Sequence, residues 1–253
     1  MKLDCVLTAV NDNPLYIDFI PIFIKTWKKL YPTVDVKIIL ISNQIPEKFL
    51  QFKDHIILFE PIKNVLTSFT SQFIRLLYPC ILNYKNGVLI TDMDMLPMNR
   101  SYYTKNIEKY DDSKFIYYRE NVCFNTKEIA MCYNVALPKT WSEIFNIKSL
   151  EDIKQRIILV NDNTKIIEGH GKQGWCTDQS TLYKDVNRWH KKTQNFVCLK
   201  ESQTGFCRLD RPKFSKLDDK ISKNITSGIY SDYHLHRPMN QYEKLNWDIH
   251  NLL

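Results

Sequence analysis

The chain has 253 residues, 44% hydrophobic and 25% charged, with a net charge of +7. That is enough apolar material for one sizeable core and too much for a disordered chain. No run of 18 apolar residues occurs, so no membrane span is expected. The cysteines number seven and stand at 5, 80, 123, 132, 176, 198 and 207. With no C-x-x-C among them, they argue against a disulfide framework or a thiolate zinc site and for reduced thiols in a cytoplasmic setting. The sequons at Asn99 and Asn224 would matter only after secretion, and the opening MKLDCVLTAVNDN reads as a first strand rather than a leader. Positive charge attracts phosphates. The lysines are dispersed, however, which points away from a nucleic-acid partner.

In chain order, residues 3–10 form a short apolar, β-branched run, and 13–31 carry apolar residues at helical spacing. Residues 36–41 and 55–60 read as strands. Residues 68–84 read as a helix bent at Pro79 and closed by Asn86-Gly87, and 88–91 as a fourth strand. Short apolar strands alternating with helices predict a buried parallel sheet, hence an α/β fold of the nucleotide-binding kind. Beyond it, 114–119 is a further strand. Ser149-Leu-Glu-Asp152 resembles a capping box opening a helix to about 158. Thr177 or Asp178 is expected to cap a helix to about 190. The stretch 161–174 holds three of the six glycines and reads as a mobile loop. The tail 205–253 has few periodic cues. The chain reads as a single domain, 1–253, with a nucleotide-binding half (1–98) and a less regular half (99–253).

The fourth strand runs into Thr91-Asp92-Met93-Asp94-Met95. In an extended segment Asp92 and Asp94 share one face. They stand at the carboxyl end of a buried strand, where open α/β sheets bind ligands, and a carboxylate pair suits Mg²⁺ or Mn²⁺. The spacing alone is common in a chain with 28 acidic residues, and a solvated turn is the competing reading.

Four strands, a helix bearing Arg75 and then VLITDMDMLPM resemble the donor half of GT-A fold glycosyltransferases. The likeness is closest to the small glycosyltransferase domains of large DNA viruses such as chloroviruses. It covers residues 3–98 well and 114–253 in patches. The resemblance implies a Rossmann-like sheet with helices on both faces and an irregular acceptor side. It also implies transfer of a hexosyl or deoxyhexosyl group from a nucleoside-diphosphate sugar, a UDP-sugar by default, to a glycan hydroxyl, with Mn²⁺ or Mg²⁺. On that pattern Asp94 is the main metal ligand and Asp92 touches ribose or metal. Thr8, Ala9, Val10 and Asn11 line the nucleoside, and Arg75 sits near the diphosphate or the acidic pair.

GWCTDQSTLY (174–183) is similar to the segment that places an acidic residue by the acceptor. Asp178 is the candidate general base, with a helix cap as its plainer role. Trp175 is a candidate sugar-stacking surface, or a core aromatic. An inverting transfer requires such a base and a retaining one does not. In SDYHLHRP (231–238), His234 resembles a third metal ligand and Arg237 a diphosphate contact. His236 is the rival ligand, and a pair of plain surface histidines is the competing reading. His170 is expected at the surface.

Three rivals remain. Gly169 to Gly174 match G-x-G-x-x-G, but no good strand precedes them and position 189 is Trp, against a dinucleotide site; a closing lid suits these glycines better. A nucleotidyltransferase usually carries a glycine-rich first loop, and TAVNDN has none. A non-catalytic glycan- or nucleic-acid-binding protein is the rival from outside enzymes.

Overall fold

The computed structural model describes residues 1–120, 126–169 and 171–253. The first strand, β1 (Leu3–Asn11), is buried along its whole length except at Asp4. It lies between two parallel neighbours, and its residues are buried on both faces of the sheet, as in sheets covered by helices on each side. A turn follows in which the Asn13 side chain accepts the Leu15 amide at 2.9 Å. Helix α1 (Ile20–Leu30) begins only after a short 3-10 turn at Ile17–Phe19, later than the spacing from residue 13 predicts. The Asn13-Pro14 turn takes the start of that run. Ile20, Phe23, Trp27 and Leu30 form the buried stripe of α1. Trp27 packs against Tyr103 at 5.0 Å between ring centroids. Full burial of such side chains contributes about 1.5–3 kcal/mol each.

Strands β2 (Asp35–Ile41) and β3 (Ile56–Phe59) extend the parallel sheet on one side. Helix α2 (Thr67–Leu77) follows and passes into a 3-10 turn at Tyr78–Ile81, so the bend falls at Pro79 as expected. Strand β4 (Gly87–Ile90) then pairs with the other side of β1. A Cβ at Gly87 would stand 2.8 Å from Val135 Cγ2 and 3.0 Å from the Lys2 carbonyl oxygen, so only glycine fits this crossing.

Strand β5 (Met95–Pro97) and helix α3 (Tyr102–Glu108) lead to β6 (Phe115–Tyr117) and β7 (Asn134–Ala136). Helices α4 (Pro138–Phe145), α5 (Leu150–Asn163) and α6 (Thr177–Thr193) come next, then β8 (Phe196–Cys198). The main sheet runs β3-β2-β1-β4-β7-β6-β8. It is parallel from β3 to β4, while β7 is antiparallel to both its neighbours. The sheet is therefore mixed, not parallel throughout.

Ser149 caps α5 by accepting the Asp152 amide at 3.1 Å, as the capping box predicts, and the helix continues to Asn163, past the expected end. Cys176, not Thr177 or Asp178, occupies the position before α6, and no side chain caps that helix. The glycine run at 169–174 lies between two helices rather than between a strand and a helix, and His170 lies outside the described residues.

The unpatterned tail holds β9 (Arg208–Asp210) and β10 (Asp232–His234), which join β5 in a second, three-stranded sheet of order β5-β10-β9. Its register sets Met95, His234 and Asp210 side by side. Wholly buried Asp232 ties this sheet to the main one. It accepts bonds from Arg208 Nε at 3.3 Å and from the Tyr133 hydroxyl. Cys5, Cys80, Cys132, Cys176 and Cys207 are free thiols, and Cys123 lies outside the described residues. Among the described residues no helix is long and apolar enough to cross a membrane.

Candidate functional site

The chain leaves β1 toward β2 on one side, and β4 returns on the other. A crevice opens at the carboxyl ends of β1 and β4, the switch point where open α/β sheets bind ligands. A cleft of about 410 Å³ lies there. It is lined by Ala9, Val10 and Asn11 from β1, Asp92 and Asp94 after β4, and Trp175 and Asp178 at the start of α6. Arg75 from α2, His234 from β10 and Arg237 from the segment after β10 line it as well. Ten of the eleven residues singled out in the sequence thus share one cavity. Thr8 is the exception: it is wholly buried inside β1 and does not line the cleft. It stands farther from the carboxyl end of β1, below the level at which the crevice opens.

The acidic pair does not continue the strand. β4 ends at Ile90, and the Met95 amide bonds the Asp92 carbonyl at 3.2 Å, so residues 92–95 form a tight turn into β5. Both carboxylates still face the cleft, together with Met93, but they engage different partners.

On one side, Ser68, Phe69, Ser71, Gln72 and Arg75 line the cleft from α2, at helical spacing, while Phe73, Ile74 and Leu77 are buried in the core. Arg75 is 6% exposed. It pairs with Asp92, donates to the Thr91 carbonyl at 3.2 Å and meets Asp178 Oδ2 at 3.4 Å. Burial opposes its charge, but the two carboxylates raise its pKa further. Asp178 accepts the Gln179 amide at 2.8 Å. Burial pushes the Asp178 carboxyl up to about 6, against the pull of Arg75. A buried carboxyl that titrates near neutrality is suited to proton transfer.

On the other side, the register of the second sheet delivers His234 to Asp94. Its Nε2 stands 3.2 Å from Asp94 Oδ2 and its Nδ1 2.8 Å from Asp210 Oδ1. Burial would neutralise His234, but its bonds to Asp94 raise its pKa. Burial would also raise the Asp94 pKa, and the bonds and charges of His234 and Arg211 instead hold it below the usual carboxylate range. His236 is turned away, packed edge-on to Phe214 at 4.8 Å and against Tyr242 at 4.9 Å. Of the two rival histidines, only His234 lines the cleft.

Sequence reasoning missed Arg211, Asp210, Tyr16 and Gln179. Arg211 donates to Asp94 Oδ2 at 3.0 Å. Arg237 hydrogen-bonds the Tyr16 hydroxyl and lies 5.0 Å from the Tyr16 ring centroid. Gln179 lines the cleft beside Asp178. The motif around Asp178 contains Gln179, and the run Arg208-Leu-Asp-Arg211 is visible in the sequence. Only the pairing of β9 with β10 gives that run a place.

Among the described residues no three carboxylate, imidazole or thiol groups are already gathered around a common point. The donor set nonetheless fits a hard divalent ion. Asp94 and His234 face each other, and Asp210 holds the far nitrogen of the imidazole, the arrangement by which an outer carboxylate orients a metal-binding histidine.

No family model matches the sequence, and no curated protein matches it. Solved structures do share the fold. The galactosyltransferase LgtC, solved in complex with donor and acceptor sugar analogs, superposes with a TM-score of 0.50 at 11% identity, over 98% of this chain and 96% of that one. The glycosyltransferase GlyE of Streptococcus pneumoniae TIGR4 gives 0.52 at 16% identity, and this chain, 99% covered, spans 60% of it. A glycosyltransferase involved in glycosylation of the major capsid of PBCV-1 gives 0.50 at 8% identity, over 97% of this chain and 99% of that one. The fold is the GT-A type of these glycosyltransferases, with a seven-stranded central sheet flanked by helices.

Proposed function

We propose that this protein is a glycosyltransferase that takes a sugar from a nucleoside diphosphate, a UDP-sugar, and places it on a glycan hydroxyl. The observation that carries this reading is the convergence, at the switch point of a GT-A sheet, of Asp92, Asp94 and His234 with Arg75 and Asp178 in one cleft. The β1 residues Ala9, Val10 and Asn11 form the wall for the nucleoside. Mn²⁺ or Mg²⁺, held by Asp92, Asp94 and His234, would neutralise charge on the departing diphosphate.

Arg75 ties Asp92 on the donor side to Asp178 on the acceptor side, so both carboxylates share one rigid frame. Asp178, ionised above about pH 6, accepts the proton of the attacking hydroxyl. Trp175 offers an apolar face to the acceptor sugar.

The test is release of UDP from UDP-sugars without acceptor, followed with and without Mn²⁺. Activity that depends on the ion and falls about 100-fold or more in Asp94→Ala is the expected result. Activity unchanged in that variant would remove the carboxylate from the reaction. A protein that hydrolyses none of a panel of nucleotide sugars, yet binds glycans, would belong to the non-catalytic class.

A further inference from the structure

Asp94 is surrounded by more positive charge than it can balance. Its Oδ2 receives Arg211 Nη1 at 3.0 Å and His234 Nε2 at 3.2 Å, with Arg237 Nη1 at 3.8 Å. The other carboxylates nearby are engaged elsewhere: Asp210 holds His234 Nδ1, and Asp92 and Asp178 hold Arg75. A guanidinium cannot lose its proton in a protein, so two fixed positive charges face one carboxylate.

Arg211 is poorly used where it stands. Nη1 makes both of its bonds, to Asp94 and to the Leu235 carbonyl at 3.0 Å. Its Nε and Nη2 have no partner among the described residues, and the side chain lines the cleft. Arg208, three residues earlier, shows the contrast: its Nε and Nη2 both lie 3.3 Å from Asp232 Oδ2, and Nη2 also bonds the Tyr133 hydroxyl. Arg208 is committed to joining the two sheets. Arg211 is anchored at one nitrogen and has a free edge of the fork geometry that clasps phosphate oxygens two at a time.

We propose that Arg211 is a phosphate-binding residue that leaves Asp94 when the site loads and, with Arg237, clasps the diphosphate of the ligand. This deepens the reading of the cleft as a nucleotide-sugar site and rests on it. With Arg211 and Arg237 both facing the cleft, a bare diphosphate binds here without a divalent ion, and Asp94 competes with it for the Arg211 guanidinium.

Titration calorimetry with inorganic pyrophosphate in excess EDTA tests this. The wild type is expected to bind. Arg211→Gln is expected to lose about tenfold or more in affinity, the scale of a charge-assisted hydrogen bond. Arg211→Lys, which keeps the charge but not the fork, falls between them and carries the test if the glutamine variant does not fold. Asp94→Asn, which releases the guanidinium, is expected to bind more tightly than wild type. Equal affinity in wild type and both Arg211 variants, absence of binding in the wild type, or weaker binding in Asp94→Asn would overturn the proposal. UDP-sugar hydrolysis by the wild type separates the two readings. Pyrophosphate binding that depends on Arg211 without any hydrolysis sinks the transferase and leaves the clasp. Hydrolysis with binding indifferent to Arg211 does the reverse.

Discussion

Replacing Asp178 by Asn is expected to make the protein more stable at neutral pH and less stable relative to that gain as the pH falls. Asp178 is 4% exposed, and burial raises its carboxyl from 3.8 to about 6. Below about pH 4 the group is protonated whether the chain is folded or not, and it costs nothing. Between about pH 4 and 6 the unfolded chain is ionised while the folded one still holds its proton. The stability contribution of the group therefore falls as pH rises through that window and levels off above pH 6. A difference of about two pH units, at about 1.4 kcal/mol each, amounts to roughly 3 kcal/mol at pH 7. Asn keeps the shape and can still accept the Gln179 amide, so the variant escapes this cost. At about 2–4 °C per kcal/mol for a chain of this size, Tm should rise by up to about 10 °C at pH 7 and by almost nothing at pH 4. Thermal unfolding of both proteins between pH 4 and 8 measures the difference, in which the other titrating groups cancel. A variant less stable than wild type at pH 7, or a difference that does not change with pH, would refute the reasoning. The same variant should lose about 100-fold or more in kcat if Asp178 is the base, so stability and activity move in opposite directions.

Arg75→Met strips Asp92 and Asp178 of their shared partner and should cost about 3–5 kcal/mol in urea unfolding at pH 7; the cost should shrink at pH 5, where Asp178 is protonated. Asp210→Asn loosens the hold on His234 Nδ1 and should weaken Mn²⁺ binding about 10–100-fold by calorimetry, while pyrophosphate affinity in EDTA stays as in wild type. Gly174 has a φ of +86°, and a Cβ there would fall 2.7 Å from Ile166 Cδ1. Gly174→Ala should therefore displace the 164–176 loop at a cost of about 1–2 kcal/mol and raise KM for the acceptor while nucleotide affinity holds.

The first half of the fold, residues 1–98, was legible because local rules govern it. β1, β2, β3 and β4 are short apolar runs between helices, and each falls within a residue or so of its expected place. Asp92 and Asp94 could be found by their position after β4. The turn they form could not, because its cause is the pairing of β5 with β10, about 140 residues away. The second sheet was invisible for the same reason. Its strands are three residues each, too short to show a period, and register alone joins Asp210 and His234. Arg211 lay unnoticed in a charged tail until that register put it against Asp94. Thr8 failed in the opposite direction: its neighbours at the carboxyl end of β1 line the cleft, but Thr8 lies one step deeper in the sheet and is wholly buried.

In the proposed function, the carboxylates after Thr91 meet the donor diphosphate through a divalent ion at the ends of β1 and β4. A crystal of the protein with UDP and Mn²⁺, read by anomalous scattering from the manganese, tests it most directly. The expected result is one manganese peak in the cleft beside Asp94 and the diphosphate, with the uridine along Ala9–Asn11. UDP bound elsewhere, or bound in the cleft with Asp92 and Asp94 joined to no ion, would contradict it.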